Sequence, residues 1–144
     1  MTVEIEALPP RTRLFHVGPP KTGTTALQQV ASESRAVLLA HGVRYPGRSR
    51  NHRLAVAAFL DRPMGWAKAD GGRGPSLRNW YELLGELDAE TRRRTWFGHE
   101  YAARAEPVVI ERLAEQLGPS LHVVITLRHY ARMLPSAWQE LLKA

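Results

Sequence analysis

The residues with the most chemistry to offer sit in one short run, RLFHVGPPKTGTTALQ, at positions 13–28. Lys21 carries a mobile cation, Thr22, Thr24 and Thr25 carry hydroxyls, and Gly18 and Gly23 leave their backbone N–H groups uncovered. Leu14, Phe15, His16 and Val17 precede them as an apolar-rich run, the pattern of a buried strand. Ala26, Leu27, Gln28 and Gln29 follow as good helix formers. A strand, a glycine loop and a helix start in that order make an anion site. The first N–H groups of a helix have no internal partner, and the helix dipole places partial positive charge there.

Gly18 and Gly23 keep the G-x-x-x-x-G frame of the nucleotide P-loop. The residue after the second glycine is Thr24, however, and the lysine stands two positions before that glycine, at Lys21. An ordinary ATPase or GTPase uses a lysine after the glycine on the β- and γ-phosphates, so the loop argues against one. PKTGTT resembles the 5′-phosphosulfate loop of the sulfotransferases, and PKTGTTALQ the bacterial members in particular. That family moves a sulfuryl group from 3′-phosphoadenosine-5′-phosphosulfate (PAPS) to a hydroxyl or amine. A second stretch, VVITLRHYARMLPSAWQE at positions 123–140, resembles the family's 3′-phosphate element. There an arginine ends a strand and a serine eight residues on lies in the next helix, which here are Arg128 and Ser136.

The resemblance implies a cofactor site made of Lys21, Thr22, Gly23, Thr24, Thr25, Arg128 and Ser136. Lys21 would supply a cation to the bridging oxygen and the sulfuryl group, and the loop N–H and hydroxyl groups would hold the 5′-phosphate. Such a transfer needs a base for the acceptor's proton and no metal. His99, His52 and Glu100 are the candidates, in that order. His99 and Glu100 match the family's histidine after a strand, and His52 matches the place, though not the residue type, of a glutamate in the loop after the first helix. The acceptor expected is a small molecule or a glycan. The family's C-terminal part is absent, so the expectation is a single domain over residues 1–144 that is the N-terminal portion of a longer enzyme, or truncated. Two alternatives stand beside this reading: a nucleotide-binding fragment without turnover, and a P-loop kinase with an altered loop.

The 144-residue length suits one domain, and 44% hydrophobic residues with four tryptophans support a packed core. The absence of cysteine excludes disulfides and thiolate metal sites, and none of the six histidines is paired at H-x-x-x-H spacing. Met1 to Pro10 lacks the apolar stretch of a signal peptide, and no run is long enough to span a membrane, so a cytoplasmic location is expected. The net charge of +6 suits a polyanionic ligand. Nucleic acid is not the expected partner, because the basic residues are scattered and Arg92-Arg93-Arg94 reads as a solvated turn.

The elements that must position these groups follow from periodicity. Strands are expected at residues 12–17, 43–45, 95–97 and 121–127, the last in a fully covered parallel position. A helix over residues 24–40 is expected to bury Leu27, Val30, Ala31 and Leu38. Others are expected over residues 54–60, on a stripe of Leu77, Trp80, Tyr81, Leu84 and Leu87, and on Val109, Ile110, Leu113, Ala114 and Leu117. A last one carries Leu134, Trp138, Leu141 and Leu142, with Pro135 in its first turn. The glycine- and proline-rich stretch 61–75 reads as a loop that orders over a ligand. Alternating strands and helices predict an α/β, P-loop-like three-layer fold with a mostly parallel sheet, incomplete at the C-terminus and left with an unpaired strand edge or an apolar patch. Ligands collect outside the carboxyl ends of parallel strands, and Lys21, His99, Glu100 and Arg128 all follow such ends.

Overall fold

The computed structural model describes residues 6–64 and 74–142, so most of the stretch 61–75 lies outside the described residues. The fold is α/β. Strands β1 (Arg13–Val17), β2 (Val43–Arg44), β3 (Arg94–Phe97) and β4 (Leu121–Ile125) form one parallel sheet in the order β2-β3-β1-β4. Helices α1 (Thr24–Glu33) and α2 (Arg35–Ala40) link β1 to β2, and α3 (Arg53–Phe59) and α4 (Arg78–Ala89) link β2 to β3. A 3-10 turn (Glu100–Arg104) and α5 (Pro107–Leu117) link β3 to β4, and α6 (Tyr130–Leu141) follows. No helix among the described residues is long and apolar enough to cross a membrane.

The main core lies on one face of the sheet. Phe15 and Val17 of β1 and Phe97 of β3 meet Val56 and Phe59 of α3, Trp80, Leu83 and Leu87 of α4, and Leu113 and Leu117 of α5. Phe15 and Phe97 are partners in register, with ring centroids 5.3 Å apart. Trp80 is buried and donates its indole N–H to Gln116 Oε1 at 2.7 Å, which satisfies its polar end. The connection from β1 runs toward β2 and those from β2 and β3 run back, so the right-handed crossover rule assigns α1 and α2 to the opposite face.

Five expectations need correction. The long first helix breaks at Ser34, and α1 buries Thr24, Gln28 and Ala31 while Leu27 and Val30 stay exposed. The buried side of α4 is Trp80, Leu83 and Leu87, with Leu77 and Tyr81 exposed, because α3 packs one position round from the stripe that hydropathy alone selects. Ile110 of α5 is likewise exposed. β4 is an edge strand and not a covered one: Val123, Val124 and Ile125 are 54%, 42% and 60% exposed. α6 starts at Tyr130, where His129 Nδ1 accepts the Ala131 N–H, so Pro135 falls inside the helix and not in its first turn. Arg92 and Arg93 are a turn, as read, their backbone N–H groups each donating to Glu90 Oε1 at 3.1 Å, while Arg94, read with them, opens β3 and is half-buried.

Gly98 closes β3 against β1. Its φ is +139°, and a Cβ there would stand 2.1 Å from the His16 carbonyl oxygen. Neither the backbone of β1 nor that φ can yield to a side chain. Gly98→Ala is expected to cost more than about 3 kcal/mol. Gly85→Ala, mid-helix in open space, is expected to stabilise by about 0.5–1 kcal/mol. Urea denaturation of the two variants checks both, and equal stability would contradict the close approach.

Candidate functional site

The strand order sets the place of the site. β1 and β3 are neighbours, and the chain leaves β1 toward β2 but leaves β3 toward β4. A reversal of that kind opens a crevice at the carboxyl ends of the two strands. The loop from Gly18 to Gly23 rises from one side of it, and Gly98, His99 and Glu100 rise from the other.

The loop is compact. A Cβ on Gly18 would meet Thr22 Oγ1 at 2.7 Å and the Thr126 carbonyl oxygen at 2.8 Å, so the chain passes too close to the end of β4 for any side chain. Thr22 Oγ1 donates to the Pro19 carbonyl at 2.7 Å and holds the turn. Lys21 is left-handed at φ 70°, a conformation costly for a residue with a Cβ. Gly23, at φ 94°, caps α1, and its carbonyl accepts the N–H groups of Ala26 and Leu27. The N–H groups of Thr24 and Thr25 come before the first intrahelical bonds and stand at the positive end of a ten-residue helix.

These groups share an open cleft of about 650 Å³ lined by Lys21, Gly23, Thr24, Thr25, Glu100 and Arg128, with Pro20, Ala26 and Gln29 completing the wall. Thr24 Oγ1 donates to Glu100 Oε2 at 3.0 Å across the crevice, and Arg128 Nη1 donates to the Lys21 carbonyl at 3.2 Å. Two cations, a helix start and one carboxylate therefore converge from three strand ends. Thr22 is 7% exposed and serves the turn. Ser136, on the second turn of α6, is not among the residues that line the cleft.

The two histidines stand apart from it. His52 is buried, its Nε2 lies 3.1 Å from the Pro46 carbonyl, and its Nδ1 accepts the Gly98 N–H at 3.3 Å. Both ring nitrogens are thus used by backbone, in the neutral Nε2–H form. His99 is also buried; its Nδ1 accepts the Tyr101 N–H at 3.3 Å, and its ring packs on Tyr101 with centroids 4.4 Å apart. Of the three base candidates, Glu100 alone lines the cleft. A third buried histidine, His16 of β1, is hydrogen-bonded through Nε2 to Thr126 Oγ1. Sequence reasoning read it only as part of a strand, and its buried position in a β-register was the signal for it. Comparison with known proteins adds no relative: no family model, curated protein or solved structure matches the chain.

Burial holds His52 and His99 down to about 4, with the positive charge of Arg53 adding to the effect at His99, and burial also lowers His16. The folded protein keeps these rings neutral while the unfolded chain protonates them near pH 6.5. The unfolded state therefore binds more protons as pH falls through the window from about 6.5 to 4. Stability is fully present above that window and is lost on descending through it, by on the order of 3 kcal/mol for His52 alone. Urea midpoints measured from pH 8 downward check this, and a flat profile to pH 4 would contradict it.

Proposed function

We propose that the chain is a PAPS-dependent sulfotransferase, or the cofactor-binding portion of one, on a P-loop-like three-layer fold. The observation that carries the reading is the convergence of Lys21, the α1 N-terminus and Arg128 on one cleft at the switch point of the sheet. These donors fit a ligand with separated anionic groups. The open space beside Gly23 leaves the loop N–H groups reachable, since nothing lies within 4 Å of where a Cβ would be.

In this reading the N–H groups of Thr24 and Thr25 and the Thr25 hydroxyl hold the 5′-phosphate. Arg128 offers a planar, charged pair of donors to the 3′-phosphate. Lys21 neutralises charge that builds on the bridging oxygen as the bond from sulfur to the 5′-phosphate oxygen breaks. The acceptor oxygen or nitrogen forms the new bond to sulfur in line, and its proton passes to the Glu100 carboxylate. Glu100 takes this role over His99 and His52 because it stands in the cleft and they do not. The acceptor is a small molecule or a glycan. A second reading, nucleotide binding without turnover, draws support from Ser136, which does not line the cleft.

Calorimetry with 3′-phosphoadenosine 5′-phosphate, AMP, ADP and ATP, with and without magnesium, tests the assignment. The 3′-phosphorylated nucleotide is expected to bind roughly ten- to a hundredfold tighter than AMP, as a charged hydrogen bond contributes about 1.5–3 kcal/mol. Arg128→Ala is expected to erase most of that difference. Equal affinity for the two nucleotides would overturn the reading, and a magnesium-dependent preference for ATP would favour a kinase.

Turnover separates the two readings. Lys21→Ala is expected to lower sulfuryl transfer roughly a hundredfold or more. Glu100→Gln is expected to lower kcat with nucleotide affinity retained. Transfer at the unmodified rate in the Glu100 variant would place the base elsewhere.

A further inference from the structure

His52 and His99 bond to backbone groups, but His16 bonds through Nε2 to a side chain, the hydroxyl of Thr126. β1 is an inner strand, and Phe15 and Val17 join the main core, so alternation turns His16 to the other face of the sheet. There it is buried, with its ring centroid 6.2 Å from that of Trp96. Burial lowers its pKa and keeps the ring neutral. A neutral imidazole has one donor and one acceptor nitrogen, and a threonine hydroxyl serves either.

Thr126 is where the chain leaves the sheet. β4 is in register with β1 as far as Ile125 opposite Val17, and the next N–H, that of Thr126, donates to the Val17 carbonyl at 2.9 Å. His16 is level with Val124, so Thr126 is its diagonal neighbour on the same face. The Thr126 carbonyl oxygen lies against Gly18, 2.8 Å from where a Cβ would stand. Two residues on, Arg128 Nη1 donates to the Lys21 carbonyl at 3.2 Å. Thr126 thus meets β1 through its N–H, His16 through its hydroxyl and the glycine loop through its carbonyl. A lone N–H bond leaves the departing chain free to pivot about it. The second bond, to a ring buried on the sheet, removes that freedom.

We propose that His16 is a positioning residue for the cleft: through Thr126 Oγ1 it sets the angle at which the chain leaves β4, and with it where Arg128 meets an anion. This role rests on the reading of the cleft as an anion site, and carries the geometry of that site back to a buried residue of β1. His16 touches no ligand in this scheme. Its effect on binding runs through Arg128, so loss of the Thr126 hydroxyl matters only while Arg128 is present.

Calorimetry of the full chain with inorganic pyrophosphate tests this, using Thr126→Val, Thr126→Ser, His16→Leu, His16→Gln, Arg128→Ala and the pair Thr126→Val with Arg128→Ala. Valine keeps the shape of threonine without its hydroxyl, and glutamine keeps an amide that can serve the hydroxyl. Among variants with the wild-type circular dichroism, Thr126→Val and His16→Leu are expected to weaken pyrophosphate binding about three- to tenfold, the worth of one hydrogen bond. Thr126→Ser and His16→Gln are expected to stay close to the unmodified affinity. In the Arg128→Ala background, Thr126→Val is expected to add less than about twofold. A general loosening of the fold would instead lower affinity equally with and without Arg128, and that result would overturn the role. So would an unchanged affinity in Thr126→Val, or no pyrophosphate binding by the unmodified chain. The PAPS assignment is scored separately, by the preference for 3′-phosphoadenosine 5′-phosphate over AMP, and its failure leaves the pyrophosphate series to decide the role of His16.

Discussion

The site depends on the close approach of Gly98 to the backbone of β1. The pairing of β1 with β3 brings Phe15 onto Phe97, and one step further the chain must pass over the His16 carbonyl with no room for a side chain. Because Gly98 fits, its N–H can reach back to His52 Nδ1. The next two residues then turn over the end of the sheet and deliver Glu100 to Thr24 Oγ1. A shift of about 1 Å at that seam would separate the carboxylate from the helix start it bonds to, since hydrogen bonds weaken steeply beyond their normal range.

Two kinds of polar burial surround the seam, and they do different work. His52 and His99 are neutral, buried and bonded to backbone, and they fasten the loop after β2 and the turn after β3 to the core. The cleft groups are partly open to solvent and charged. The cost of desolvation is thus placed on rings that can shed their charge, while Lys21, Glu100 and Arg128 stand where water can reach.

Local patterns carried the elements that local chemistry decides. The four strands and the start of α1 were legible in short apolar runs and in Gly23, because a glycine N-cap and β-branched runs act within a few residues. The buried side of α1 was not legible. Thr24, Gln28 and Ala31 face inward, Thr24 with its hydroxyl on Glu100, against the hydropathy of Leu27 and Val30. The edge position of β4 was also hidden, since LHVVITL reads alike whether one or two neighbours flank it. The cleft was half legible: strand ends pointed to Lys21, Glu100 and Arg128. The removal of the histidines from it depends on the Gly98 seam, a contact between residues 82 positions apart that no spacing records.

The bond from Arg128 to the Lys21 carbonyl has a kinetic meaning. It pins the one non-glycine residue of the loop whose backbone sits in a left-handed well, and it uses a guanidinium N–H that an anion would also want. Loop and ligand thus draw on a shared donor. In the proposed reading, a phosphate that took this N–H would displace a neutral carbonyl and release one restraint on the Lys21 backbone. The two cations are coupled like a latch and its bolt, so entry would proceed through an opened loop and a slow step would appear in the association rate before it appeared in the affinity.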